Sequence, residues 1–217
     1  MAINPNPALP NRHALAAGCT GSGKSQVVKQ KLLPKGYGHR VILWDPDEDY
    51  RVAPGCRLTE RAAFARAVKS AVASGKGFRL AWSGAVTKET FEFFCKVCWA
   101  ALDGRYLTYM VVEELADVEP SSGKAAGTWG ELLRKSRKYG GILLPVTQRG
   151  AEVSKTCWNQ MAVKWIGQQQ GGDIARMAKE ADVTESQIRE LTPLAFWVKG
   201  NGAEPAKKVQ LTYKKTA

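Results

Sequence analysis

Residues 18–25 read GCTGSGKS, and this stretch constrains the fold of the chain more than any other. It matches the pattern G-x-x-x-x-G-K-[ST] at Gly18, Gly23, Lys24 and Ser25. Glycines permit a tight turn in which backbone N–H groups point inward at phosphate oxygens, and a following helix adds its positive dipole end. The alternative is an ordinary glycine-rich turn. We expect ATP or GTP to bind at Gly18, Cys19, Thr20, Gly21, Ser22, Gly23, Lys24, Ser25 and Gln26.

The rest of the chain alternates between strand and helix patterns. Apolar runs, read as strands, occupy 13–17, 40–45, 78–82, 106–112, 142–148 and 161–168, and helical patterns occupy 25–34, 60–74, 88–103 and 128–141. This alternation predicts an α/β fold with a mostly parallel central sheet flanked by helices. Pro145 indicates an edge strand or a bulge at 142–148.

The domain organisation follows from the same patterns. Residues 1–12 are rich in proline and asparagine, and we expect a flexible lead without its own fold. Residues 13–217 are predicted to form one domain, with a core at about 13–170 and a small helix and hairpin annex at about 171–217. The hairpin would join 195–200 to the segment that begins at 207.

A second motif, TYMVVEEL at 108–115, places two adjacent acids at the end of an apolar strand. With a phosphate-binding loop present, Glu113 is expected to hold Mg²⁺ through water, and Ser25 to ligate the same ion. Lys24 would reach the β- and γ-phosphates, and Glu114 would polarise the attacking water as general base. The alternative is two surface glutamates that follow a strand.

Composition restricts the partners. The chain has 32 Lys and Arg against 20 Asp and Glu, a net charge of +12, which favours a polyanion such as nucleic acid or else serves solubility alone. No apolar run is long enough for a transmembrane helix, and the N-terminus lacks the apolar stretch of a signal peptide. The five cysteines are an odd number and suggest no disulfide framework, so we expect a protein that is not secreted.

The stretch RKSRKYGGILLPVTQRGAEVSKTCWNQMAVKWIGQ, together with LWDPDEDY at 43–50, resembles the FtsK/HerA superfamily of DNA-translocating ATPases. The resemblance implies a RecA-like (ASCE) P-loop NTPase that uses ATP and Mg²⁺. It also implies that Gln148 is the polar sensor residue. An arginine finger acting on a neighbouring subunit is expected at Arg137, with Arg134 as second candidate and Arg149 as a further one. The acidic pair departs from the Asp-Glu of cellular members, since Glu113 replaces the aspartate.

Within that superfamily the short chain looks like the genome-packaging ATPases of tailless double-jelly-roll viruses with an internal membrane. This narrower likeness implies packaging of a viral genome into a preformed capsid by a homo-oligomeric ring, a hexamer or pentamer. It implies double-stranded DNA, bound without regard to sequence, as partner, and docking to a capsid vertex or its membrane proteins. The protein would then reside in the host cytoplasm or at the packaging vertex of the virion.

Other functions stay open on the residues alone. Lys124, in the polar segment 116–127, either couples hydrolysis to DNA or lies in a simple connector. A cellular or plasmid DNA translocase and a filamentous-phage export ATPase would share the chemistry. A P-loop kinase for a small molecule would instead need an acceptor pocket and a lid. A nucleotide-gated structural subunit would need no hydrolysis.

Overall fold

The computed structural model describes residues 2–36, 38–119 and 123–215. In these residues nine strands form one sheet in the order β3-β4-β2-β5-β6-β1-β7-β8-β9. The pairings from β3 to β7 are parallel, and β8 and β9 add to that edge antiparallel. The strands are β1 (Ala14–Ala17), β2 (Arg40–Trp44), β3 (Arg57–Leu58), β4 (Phe78–Trp82), β5 (Thr108–Val112), β6 (Gly141–Thr147), β7 (Val163–Ile166), β8 (Ala195–Gly200) and β9 (Lys207–Gln210).

Helices connect the strands. The α-helices are α1 (Lys24–Val27), α2 (Arg61–Ala73), α3 (Lys88–Ala101), α4 (Leu115–Val118), α5 (Gly127–Lys135), α6 (Lys155–Gln160), α7 (Asp173–Ala181) and α8 (Glu185–Arg189). α1 continues as a π-helical turn at Val28–Leu32, and 3-10 turns occupy Ser136–Tyr139 and Gly150–Glu152. Within the described ranges, none of the helices has both the length and the apolar character that a bilayer span needs.

The fold class predicted from the sequence is confirmed, because the sheet is mostly parallel and flanked by helices. The predicted C-terminal hairpin forms as β8 and β9, and it extends the central sheet through β7. Helix 128–141 is shorter than predicted, since α5 ends at Lys135 and a 3-10 turn follows. β3 was not predicted because two residues leave no periodic pattern.

The interpretation of Pro145 as an edge or bulge signal is wrong. β6 lies between β5 and β1, and Pro145 is in register with Val112 of β5. The pairing with β1 begins only at Val146. Alternate N–H groups of a strand point to the same side, and the Leu143 N–H is directed at His13, next to β1. The missing N–H of Pro145 therefore faces β1 just before that ladder begins, where it removes no ladder hydrogen bond.

The N-terminal segment contacts the domain. Residues 2–12 contain no helix or strand. The Ile3 N–H nevertheless donates to the Leu102 carbonyl at 3.2 Å, and the Asn6 N–H donates to the Lys138 carbonyl at 2.6 Å. These bonds place the segment beside the ends of α3 and of the 3-10 turn that follows α5.

An aromatic cluster fills the space between the sheet and helices α2 and α3. Trp44 of β2 packs edge-on against Phe94 with ring centroids 5.4 Å apart, and Trp82 of β4 packs against Phe64 at 5.6 Å. All four side chains are at most 1% exposed. Burial of rings of this size is the main favourable term for attaching a helical layer to the sheet.

His13 is a buried titratable group at the start of β1. Its side chain is 1% exposed, and its Nδ1 accepts a hydrogen bond from the Leu143 N–H at 3.1 Å. Burial, reinforced by the positive charge of Arg137, lowers the pKa of His13 from 6.5 to about 4. The folded protein therefore holds His13 neutral under conditions in which an unfolded chain protonates it.

We expect His13 to contribute a loss of unfolding free energy as the pH decreases from 6.5 toward 4, because in this window the unfolded chain protonates this residue and the folded protein does not. His13 alone contributes on the order of 3 kcal/mol to this change. In urea unfolding at several pH values, the parent protein should lose stability relative to His13→Asn by about this amount between pH 6.5 and 4. His39→Asn, at the exposed second histidine, is the control and should keep the parent slope. Equal slopes for the parent and His13→Asn would contradict the assignment.

Candidate nucleotide-binding site

The loop between β1 and α1 has the backbone of an anion-binding turn. Gly21 and Gly23 have φ angles of 78° and 97°, in the left-handed region that favours glycine. A Cβ at Gly18 would lie 2.5 Å from Ser22 Oγ, so that position admits no side chain without a shift. No heavy atom lies within 4 Å of a Cβ built on Gly21, so the loop is open on that side. Gly23 caps α1 without a side-chain hydrogen bond, which leaves the helix N-terminus available to an anion.

Lys24 is the first residue of α1 and lies over the loop. It is 8% exposed, and its Nζ donates to the Cys19 carbonyl at 3.3 Å. Burial lowers the pKa of the Lys24 ammonium, and the charges of Glu114 and Glu113 oppose that shift. A phosphate group would add negative charge beside a cation that the site already holds largely desolvated.

β5 delivers the acidic pair. Glu113 directly follows the strand and is 3% exposed, and its carboxylate accepts a hydrogen bond from the Tyr50 hydroxyl. Burial raises the pKa of Glu113 to about 8, although the bond from Tyr50 lowers it. Glu114 has a left-handed backbone with φ of 45°, which is uncommon for a residue with a side chain and concentrates at functional sites.

The structure brings Gln148, Glu114 and the phosphate-binding loop together. Gln148 Nε2 donates to Glu114 Oε1 at 2.7 Å, and the Gln148 N–H donates to Oε2 at 3.3 Å. The Thr20 hydroxyl donates to Gln148 Oε1. One amide side chain therefore links the loop after β1 to the acid after β5.

Two residues of the site were missed in the sequence analysis. The Ser25 hydroxyl donates to Asp49 Oδ2 at 2.9 Å, and the neighbouring Tyr50 donates to Glu113. Both follow β2 in the stretch LWDPDEDY, which was used only as part of the family resemblance. The available signal was an acid-rich run after a strand that the α/β pattern places in the same sheet.

In the part of the chain that the structure describes, the side chains of the three arginine candidates bond to groups outside the phosphate-binding loop. Arg134 donates to the Ala125 carbonyl at 3.2 Å, and Arg137 donates to the carbonyls of Pro7 and Leu9. Arg149 pairs with Glu152 at 3.4 Å.

Lys124 is exposed, in the polar segment for which a DNA contact was considered. Residues 120–122 of that segment lie outside the described residues. Its described flanks are attached to the domain. Glu119 accepts hydrogen bonds from Trp129 Nε1 at 3.1 Å and from the Ser154 N–H at 2.8 Å, and the Ala125 N–H donates to Thr156 Oγ1.

The donor set fits Mg²⁺ bound together with a nucleotide. Ser25 and Glu113 supply a hydroxyl and a carboxylate, the oxygen ligands that this ion prefers. In the ranges that the structure describes, no group of three or more His, Cys, Asp or Glu side chains is arranged to hold a metal ion. Magnesium sites of this type are completed by phosphate oxygens and water.

A phage protein resembles this chain in sequence along nearly its whole length. No protein-family model matches the chain. Protein P9 of Pseudoalteromonas phage PM2 is 38% identical over 216 residues, which cover 96% of this chain and 94% of that protein.

Solved structures share the fold at low sequence identity. The genome packaging NTPase B204 from Sulfolobus turreted icosahedral virus 2, in complex with AMPPCP, matches with a TM-score of 0.72 and 16% identity, covering 94% of this chain and 100% of that one. The bacterial conjugative coupling protein TrwB matches with a TM-score of 0.72 and 13% identity, covering 96% of this chain and 87% of that one. The resemblance to FtsK/HerA-type ATPases is confirmed at the level of fold.

Gly23→Ala should weaken ATP binding by about tenfold or more, as measured by calorimetric titration. An alanine held at φ 97° costs on the order of 1–2 kcal/mol, and 1.4 kcal/mol corresponds to a factor of ten in affinity. The new methyl group would also lie 2.5 Å from Leu194 Cδ2, so adding Leu194→Ala should restore part of the affinity. Gly38→Ala, where no atom lies within 4 Å, is the matched control. Unchanged affinity in Gly23→Ala would show that the loop does not need its left-handed turn.

Proposed function

The chain belongs to the family of protein P9 of Pseudoalteromonas phage PM2, and on this premise we propose that it is an ATP-driven DNA translocase that packages a viral genome into a preformed capsid. The observation that carries the proposal is the convergence of Lys24, Glu114 and Gln148 on one glycine-rich loop. The fold shared with the genome packaging NTPase B204 supports it.

The phosphate-binding loop holds the nucleotide. Backbone N–H groups at Gly21 and Gly23 and the N-terminus of α1 stabilise the phosphate charge, and Lys24 moves from the Cys19 carbonyl to the β- and γ-phosphates. Ser25 and Glu113 would hold Mg²⁺, which neutralises charge on the phosphate oxygens. A positive environment of this kind also favours the ionised form of Glu113, which burial otherwise keeps protonated.

Glu114 and Gln148 act on the attacking water. Glu114 accepts the proton of the water as general base, and the two hydrogen bonds from Gln148 orient its carboxylate. Gln148 orients the water and the γ-phosphate from the position where it now bonds Glu114 and Thr20. Loss of the γ-phosphate would therefore change the contacts of Gln148 and, through it, the position of the loop after β6.

The charge of the chain and the fold that it shares with a genome packaging NTPase support a nucleic-acid partner. A net charge of +12 favours binding to phosphates, and phosphate contacts carry no sequence information. We assign double-stranded DNA as the partner, bound without regard to sequence. Lys124 is exposed, in the segment that follows the acidic pair, and is the candidate contact. Activity at the packaging vertex would require docking to the capsid or its membrane proteins.

A ring of subunits completes the site. Arg137 is bound to carbonyls of its own N-terminal segment, and Arg134 projects from α5, so neither supplies a cation to its own loop. A finger donated to the neighbouring subunit would stabilise the transferring phosphate and make hydrolysis depend on assembly. A hexamer or pentamer with ATP at each interface meets this requirement.

The rate of ATP hydrolysis per subunit should rise with protein concentration and with long double-stranded DNA. Glu114→Gln should lower that rate by about 10²–10⁴-fold, the usual contribution of a general base. Asp117→Asn, at an exposed acid one turn further on, is the matched control and should retain the parent rate. A rate insensitive to DNA and to concentration, yet lost in Glu114→Gln, would indicate a self-contained NTPase. Stimulation by nucleosides rather than DNA would indicate a kinase.

Mixed rings test the arginine in trans. Lys24→Ala and Arg137→Ala should each lower the ATPase rate about 10³-fold or more. An equimolar mixture should regain activity, because the first variant still donates a finger and the second still binds nucleotide. Arg134→Ala in the same assay decides between the two arginines. Lys135→Ala, whose side chain is 51% exposed on the same helix, is the control. No recovery with either arginine variant would contradict a finger at these positions.

A further inference from the structure

The Ser25 hydroxyl has an unexpected partner. Its hydrogen bond goes to Asp49 Oδ2 at 2.9 Å, and Asp49 lies in the loop after β2 rather than in the acidic pair after β5. We infer that Asp49 is a positioning residue for Mg²⁺, which acts by holding the Ser25 hydroxyl in the orientation that a metal ligand requires. This inference rests on the proposed nucleotide site.

The chemistry of a hydroxyl ligand calls for such a residue. A serine hydroxyl binds a cation through a lone pair of its oxygen, so its proton must be donated elsewhere. An ionised carboxylate only accepts hydrogen bonds, and it increases the negative charge on the oxygen that donates to it. Asp49 would therefore orient Ser25 and make it a better ligand, as second-sphere carboxylates do for metal-bound histidines.

The other acids near the loop are engaged. Glu113 is buried against the Tyr50 hydroxyl, and Glu114 accepts two hydrogen bonds from Gln148. Neither of these carboxylates accepts from the Ser25 hydroxyl, whose one hydrogen bond in the described residues is to Asp49. In the proposed site the three acids therefore have separate roles. Glu113 would hold the metal, Glu114 would accept the proton of the water, and Asp49 would orient the Ser25 hydroxyl.

Asp49 is held in place although its side chain is exposed. The Asp49 N–H donates to Asp45 Oδ1 at 2.8 Å, and the Tyr50 N–H donates to Oδ2 at 3.2 Å. Asp45 is fully buried, and Arg57 bonds both its Oδ2 at 2.9 Å and the Tyr50 carbonyl at 2.6 Å. Glu48 has a left-handed φ of 58°, which turns the chain into this arrangement. A loop fixed on both sides of Asp49 distinguishes it from a casual surface contact.

The coupling between Mg²⁺ and nucleotide measures the role of Asp49 directly. The dissociation constant of the parent protein for AMPPNP is measured in excess EDTA and in excess MgCl₂. The ratio of the constant in EDTA to the constant in MgCl₂, which measures how much Mg²⁺ strengthens binding, is then compared among variants. Asp49→Asn and Asp49→Ala should reduce this ratio by about tenfold or more, the usual effect of removing a second-sphere partner. Their affinity in EDTA should be unchanged or tighter, because a negative charge beside the phosphates has been removed.

Asp47→Asn is the matched control. Asp47 is an exposed aspartate of the same loop, and no hydrogen bond or ion pair of its side chain is found in the described residues. The Asp47→Asn substitution removes the same charge as Asp49→Asn and should keep the ratio of dissociation constants of the parent protein. Ser25→Ala combined with Asp49→Asn should be no worse than Ser25→Ala alone, because Asp49 acts through that hydroxyl.

The outcomes separate the inference from the proposed function. A parent-like ratio in folded Asp49→Asn, checked by circular dichroism, would overturn the role of Asp49 while leaving nucleotide binding intact. Additive losses in the double variant would do the same, because they would show that Asp49 does not act through Ser25. A parent protein that binds no nucleotide under either condition would overturn both.

Discussion

The parallel pairing of β2, β5, β6 and β1 brings the main parts of the candidate site to one edge of the sheet. Trp44, Val112 and Pro145 are in register across the first three strands, and Ala17 is in register with Thr147 across the last two. Because parallel strands all end at the same edge, the residues that follow them are brought together there. Asp45, Glu113, Gln148 and Gly18 are the first residues after β2, β5, β6 and β1.

Burial of charge is the second constraint, because two ionisable side chains of the site are removed from water without a full set of opposite charges around them. Lys24 and Glu113 are both largely desolvated. Burial lowers the pKa of Lys24 and raises the pKa of Glu113, so it favours the neutral form of each. A nucleotide with its cation would bring opposite charges to both groups at once. Low exposure makes the charged forms of these side chains unfavourable when they are unpaired. It would also strengthen their attraction to a bound phosphate and cation, because little water screens it.

The sequence predicted the parts of the site that local pattern determines. The glycine-rich loop, the acids after β5 and the amide after β6 each follow a strand with a clear apolar run, and the structure places all three at one edge. Asp49 could not be predicted in the same way. Its position depends on the left-handed turn at Glu48 and on the hydrogen bonds to Asp45, which are tertiary features without a periodic signature.

Pro145 failed as a signal for a related reason. Proline excludes a strand position only where its N–H would join a ladder, and the two ladders of a central strand need not start at the same residue. The sequence shows where the proline is, but it does not show at which residue each neighbouring strand begins to pair with its strand.

The far end of the chain also shapes the phosphate-binding loop. The Leu194 N–H donates to the Ser22 carbonyl at 2.9 Å, and the Leu194 side chain covers Gly23. Gln26 of α1 exchanges two hydrogen bonds with the backbone of Lys214, at 3.1 and 3.2 Å. The loop and α1 are thus bonded to the segments that flank β8 and β9. A change of conformation in this loop or in α1 would have to move those segments or break these bonds, so the segments on both sides of the hairpin are coupled to the loop.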